Sequence, residues 1–377
     1  MKKNKNNNKT PIFIMIVVGI IAGTALGLWM ASDNNTSGFD ILTTDTLLFM
    51  LLWLVIATFT HELGHMLFGF VGGYKFVYFK LFGFMFFKKD DKWQVLNGGP
   101  RGAIGQCVMR PDFKYTDKMP YLLYNAGGCI VNFAFAVLCF ALIFAYGQNA
   151  FAIAGIVVNV LFVVMNMIPA KSMRNDGYNM TTIGKTPAHK QAYWLELNMT
   201  ADILAGKKFS DLPSHYFEFE VTDLHLENVC TALYMQYCYF VCTWQTQKAK
   251  ELITALYERK GEMPLSNANT ICVEYFNFVA VFEKDATKAI NVYNTFDASV
   301  KNAIQRVPLP FAIVAKILSN AFSVHNDVQF DLDCKVMQQI IDMSKNLVET
   351  EYNNLLFRQA KQLYESDIAK PQDPFDI

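Results

Sequence analysis

His61-Glu62-Leu63-Gly64-His65 stands inside a long apolar run. On a helix, positions four apart share a face about one turn apart, so the two imidazoles can bind one metal ion. Glu62 is turned about 100° from His61 at 3.6 residues per turn. It can therefore take a proton from an attacking water without being a ligand itself. This is the arrangement of H-E-x-x-H metalloproteases. The bland alternative is a structural polar cluster near a helix end. The setting argues against it, because ionisable side chains in a membrane helix cost on the order of several kcal/mol. No serine or cysteine stands at a recognisable catalytic spacing from these histidines.

A catalytic zinc needs a third protein ligand. The extension H-E-x-x-H-x-x-G-x-x-H is absent, since Phe68 and Val71 occupy the positions that would need Gly and His. Depth narrows the search. His61 lies sixteen residues beyond Asp45, about 24 Å along a helix. That puts the metal inside the bilayer, towards its cytoplasmic side. Asp176-Gly177 follows the last apolar run on the same side, so Asp176 can fold back to the level of His61. An Asp-Gly turn at the membrane surface is the plain alternative.

The elements that must position these groups are apolar. Of 377 residues 53% are hydrophobic and 18% charged, less charge than a soluble chain of this length usually carries. The excess lies in the first 170 positions, in runs long enough to cross a hydrocarbon core about 30 Å thick. Four spans are predicted, over 11–31, 46–72, 120–146 and 150–168. A cleaved signal peptide is the competing reading of the first. Lys2, Lys3, Lys5 and Lys9 precede it, and loop 73–119 carries nine basic residues. Both segments are thus expected on the cytoplasmic side. The formal net charge of zero excludes a nucleic-acid binder of the usual basic kind. Eight cysteines form no C-x2-C pair and read as reduced thiols.

His61-Glu62-Leu63-Gly64-His65, then Asn166-Met167-Ile168-Pro169, then Asp176-Gly177 resemble the site-2 protease family of intramembrane metalloproteases. The family pattern is H-E-x-x-H on one transmembrane helix and N-x-x-P-x4-D-G after a later one. The resemblance implies that Asp176 completes a Zn2+ site with His61 and His65, with Glu62 as the catalytic base. It gives Asn132, Asn166 and Gly177 site-supporting or substrate-binding roles. The helix between carries a Gly-rich stretch, usually A-G-P-x-x-N. Here it reads Gly127-Gly128-Cys129-Ile130-Val131-Asn132, with Cys129 in the place of proline. Six residues rather than four separate Pro169 from Asp176. The resemblance covers residues 45 to 180 and implies a multi-pass protein of a bacterial plasma membrane.

Tyr74 to Phe87 is rich in aromatic and β-branched residues, a strand signal. Residues 93–96 and 103–109 are expected to pair with it, and the family has a membrane-dipping β structure in this region. Its edge is expected to bind an extended substrate by β-addition; an interfacial aromatic belt is the alternative. Asn159 shares a helix face with Asn166 and suits helix packing. From Thr186 onward apolar residues recur at helical spacing: 249–259, 269–282, 287–293, 311–322, 336–348 and 352–364 read as amphipathic helices. The expected architecture is mainly α. It comprises a cytoplasmic N-terminus (1–10), a membrane metalloprotease domain (11–180) and a cytoplasmic, solenoid-like helical domain (186–377). The last would bind a protein partner or support the membrane domain.

Three functions compete: intramembrane cleavage of membrane proteins or peptide precursors, cleavage of soluble cytosolic peptides by a membrane-anchored protease, and a non-catalytic membrane scaffold. A scaffold has no need of Glu62.

Overall fold

The protein is mainly helical. A computed structural model describes residues 44–89, 92–97, 104–170, 174–306, 309–322, 326–343 and 349–366. The N-terminal segment 1–10 and the span predicted over 11–31 lie outside these residues. The chain divides into two compact units, Met1–Lys190 and Gln191–Ile377.

Among the described residues of the first unit three helices are long and apolar enough to cross a membrane. They are α1 (Thr44–Val71), α2 (Tyr121–Tyr146) and α3 (Ala150–Met167). Along α1, Leu47, Leu48, Leu51, Leu54 and Val55 are exposed, a surface suited to lipid. Trp53, Ala57, His61 and His65, four apart, are buried on the other face. Lipid tails supply no hydrophobic drive between such helices, so contact depends on small residues and polar links. Both are present. A Cβ on Gly64 would lie 2.4 Å from the Gly127 carbonyl oxygen, so α1 and α2 touch backbone to backbone there. Trp53 donates its indole N–H to the Phe151 carbonyl at 2.9 Å. The α2–α3 turn uses Gly147 at φ 85°, and the Asn149 side chain caps α3 at the amide of Ala152.

Between α1 and α2 lies a four-stranded antiparallel sheet in the order β3-β2-β1-β4. The strands are β1 (Tyr74–Leu81), β2 (Phe84–Lys89), β3 (Lys92–Asn97) and β4 (Gly105–Pro111). Phe82 and Gly83 both take positive φ, 46° and 86°, as a two-residue hairpin turn demands. That turn splits Tyr74–Phe87 into two strands and corrects one expectation. β1 pairs with β2 on one side and β4 on the other, so the edges are β3 and β4. Every residue of β3 is exposed. In β4, Cys107, Val108 and Met109 are buried. Met109 reaches Gly69 of α1, where a Cβ would meet its sulfur. After α3, a short helix α4 (Asp176–Thr182) follows, and α5 (Pro187–Leu204) lies mostly in the second unit.

The second unit continues as α6 (Glu227–Cys242), α7 (Thr246–Glu258), α8 (Leu265–Phe278), α9 (Ala286–Asn294), α10 (Ala298–Arg306), α11 (Pro310–Phe322), α12 (Asp327–Met343) and α13 (Glu349–Glu365). α8 runs on into a π turn, Val279–Glu283. All six segments expected as helices are helical where described, residues 344–348 lying outside the described residues. α12 begins nine residues ahead of the expected 336. α5, α6 and α10 carry no expectation from the sequence. α6 shows why: Val229, Cys230, Leu233, Tyr237, Cys238 and Val241 bury it on several sides, which erases the apolar–polar period that marks a surface helix.

Candidate active site

His61 and His65 stand one turn apart on the buried face of α1, 5% and 7% exposed. Their Nε2 atoms are 3.2 Å apart. Asp176, the first residue of α4, brings Oδ2 to 3.1 Å from His61 Nε2 and 3.3 Å from His65 Nε2. The three groups paired by sequence reasoning thus converge on one point.

The opposite edge of each imidazole decides what that point can hold. His61 Nδ1 lies 2.6 Å from Asn132 Oδ1, and His65 Nδ1 lies 2.8 Å from the Tyr124 carbonyl oxygen. Both partners can only accept, so each ring carries its proton on Nδ1 and turns a bare Nε2 lone pair inward. The Asn132 amide has no freedom to reverse. Its Nδ2 donates to Asn159 Oδ1 at 2.8 Å and to the Ala57 carbonyl at 3.2 Å. Asn159 in turn donates to the Gly155 carbonyl at 2.8 Å. Two imidazole lone pairs and a carboxylate oxygen then meet with no hydrogen between them, and they repel. A proton on one Nε2 would serve only some of these contacts; a cation at the centre serves all of them. Zinc held at 2.0–2.1 Å by tetrahedral donors spaces them about 3.3 Å apart. The donor set and its spacing therefore fit Zn2+.

Asp176 is held by its neighbours. Asn175 caps α4, accepting from the Tyr178 amide at 3.1 Å and from the Ala170 amide at 2.9 Å. Its own amide donates to the Met165 and Ile168 carbonyls, at 2.7 Å each. One side chain thus ties the end of α3 to the start of α4. Gly177 lets the two backbones touch: a Cβ there would lie 2.1 Å from the Met167 carbonyl oxygen. The two extra loop residues do not keep Asp176 from the histidines.

Glu62 is buried beside the histidines, 7% exposed, and accepts a backbone hydrogen bond from Cys107 of β4. At Gly105 on the same strand a Cβ would come 2.7 Å from Glu62 Oε1. An edge strand of the sheet thus runs along the candidate general base. Gly127 and Gly128 bring α2 against α1, and a Cβ on Gly128 would lie 2.6 Å from the His61 ring.

Asn132 meets the site directly through His61. Asn166 does not; its amide donates to the Phe162 carbonyl of its own helix at 3.0 Å. Asn159 sits behind Asn132, orienting it. Sequence reasoning missed Asn175, Tyr124 and the β4 contact. Asn before a helical Asp is a readable N-cap signal. A backbone carbonyl such as that of Tyr124 leaves no trace in residue type.

A family model described as Peptidase family M50 matches residues 49–330. No curated protein and no solved structure matches the chain.

Proposed function

The chain belongs to peptidase family M50, the site-2 protease family, and on that premise we propose that it is a zinc endopeptidase cutting peptide bonds within or near transmembrane segments. The convergence of His61 Nε2, His65 Nε2 and Asp176 Oδ2 within 3.3 Å carries the reading. His61, His65 and Asp176 would hold the metal. When bound, zinc supplies Lewis acidity towards the water and the scissile carbonyl.

The chain's own residues do the rest. Glu62 takes the proton of the attacking water and delivers it to the departing amide nitrogen, the general base and then the general acid. Its hydrogen bond to β4 holds the carboxylate while it waits. Asn132 and the Tyr124 carbonyl hold both rings in the tautomer that leaves Nε2 free. A helical substrate hides its carbonyls in its own hydrogen bonds, so it must be extended before attack. Strand β4 is the sheet edge beside Glu62; its Cys107 amide and carbonyl are taken by Glu62 and the Tyr124 hydroxyl, so an extended substrate would pair with other main-chain groups of the sheet edges. The basic loop supports a cytoplasmic position for the sheet and for the second unit, which is free to bind a protein partner or the cytosolic part of a substrate.

Two measurements on the full chain test the proposal. Purified wild type should carry close to one zinc per chain, and Glu62→Gln should keep it. Membrane-peptide proteomics of cells bearing either form should reveal transmembrane fragments only with wild type. Identical fragment sets would sink the protease; cuts confined to soluble cytosolic peptides would favour the membrane-anchored alternative.

A further inference from the structure

Cys129 has no role in the chemistry above, yet it lies against the donor cluster. It stands one turn before Asn132 on α2, so the two share a face, and Asn132 holds His61. The thiol is 4% exposed. Its Sγ lies 3.9 Å from Asp176 Oδ2. One donor atom each from Cys129, His61 and Asp176 lie within 4.8 Å of one another, a set that does not include His65, so closure on all three ligands requires the thiol to move inward. The glycines at 127 and 128 are what allow this, because a side chain at either would push α2 away from α1. With a zinc–sulfur bond of 2.3 Å and a zinc–oxygen bond near 2.0 Å, tetrahedral ligands would put sulfur and oxygen about 3.5 Å apart. The observed separation is within about half an ångström of that.

We propose that Cys129 is a fourth protein donor to the metal held by His61, His65 and Asp176, closing in the resting enzyme the position that water must occupy. The inference rests on the metal reading above. On closure the S–H bond breaks, its proton leaves to water, and the sulfur electron pair binds the metal. On opening, a water molecule takes the position and the thiol regains a proton. No oxidant or reductant is needed. The soft thiolate also favours zinc over magnesium, calcium or manganese, which prefer oxygen donors. The thiol is then a latch on the open site: productive substrate must displace it, and the resting protein is protected from idle hydrolysis.

Cobalt(II) in place of zinc, in the full-length protein in detergent, reads the latch without any turnover. Wild type should show the visible bands of a tetrahedral cobalt site together with an intense near-ultraviolet sulfur-to-metal charge-transfer band. Cys129→Ser should lose the near-ultraviolet band and keep the visible ones. Visible bands alone in wild type, or a near-ultraviolet band that survives in Cys129→Ser, would overturn the latch while leaving the metal site standing. Absence of visible bands in cobalt-treated wild type would overturn both. Alkylation of wild-type Cys129, followed by mass spectrometry, needs no variant to fold. It should be at least tenfold slower with metal bound than after chelation, and equal rates count against the latch.

Discussion

Each unit of this protein buries carboxylate groups, and the two settings differ in one respect. In the second unit Glu274 of α8 is wholly buried and meets three donors. Tyr234 gives it a hydroxyl hydrogen bond at 2.8 Å, Tyr352 another at 2.6 Å, and Asn277 an amide contact at 3.4 Å. In the first unit Asp176 meets two imidazoles whose protons are spoken for on their far edges. Glu274 is satisfied by hydrogens already in the chain, whereas the Asp176 cluster has an excess of lone pairs, its one side-chain donor among the described residues being the Cys129 thiol at a long 3.9 Å. Asp176 keeps 15% of its side chain exposed, but the sharper difference between a structural carboxylate and a candidate metal ligand is the balance of donors and acceptors.

The sharpest way to break that contrast is Asp176→Asn. The shape is kept, but the charge and one accepting oxygen are lost. Zinc affinity should fall by more than 100-fold, beyond the loss typical of an outer-shell partner, as read by competition with a chelating dye. A smaller loss would make Asp176 a bystander.

The Glu274 side can be probed by pH. Burial pushes its carboxyl up to about 7 from an ordinary 4.5, against the lowering pull of Tyr352, Tyr234 and Asn277. The folded unit therefore favours the protonated form. Its stability is full below pH 4.5 and is lost as pH rises through 7, by about 1.4 kcal/mol per unit inside that window and roughly 3 kcal/mol in all. Hydrogen exchange of α8 amides in the full chain should show this slope. Glu274→Gln should flatten it, and a slope unchanged in that variant would assign it elsewhere.

Asn132→Ala tests whether the far edges of the rings matter. Freed of its acceptor, His61 loses its fixed tautomer, and zinc affinity should drop 10- to 100-fold. Asn159→Ala acts one bond further out and should cost less, on the order of tenfold or below. If the Asn159 variant proves the more damaging of the two, the hydrogen-bond order read here is wrong.

Residue types and spacing were enough for the histidine pair, its neighbouring glutamate, the apolar helices and most helices of the second unit. These are local properties: a helix repeats every 3.6 residues, so a period in the chain is a face in space. The family pattern was legible for the same reason, since its residues recur in order. What remained illegible was relational. The sheet edge was expected to take substrate, but which strands form it was not legible, because strand propensity says nothing about which strand lies inside a sheet; the turn at Phe82-Gly83 decided that by splitting Tyr74–Phe87 into β1 and β2. α6 escaped because burial on several sides removes the period.

The chain itself, then, determined which groups are chemically able to hold a metal and move a proton, because identity and spacing along one helix are written in it. Only the tertiary structure decided which edge of each imidazole faces the carboxylate. That outcome depends on Asn132, Asn159, Tyr124 and Asn175 arriving from other segments, and on glycines that let backbones touch. A lone pair is aimed by contacts distant in sequence, and no local period encodes such contacts.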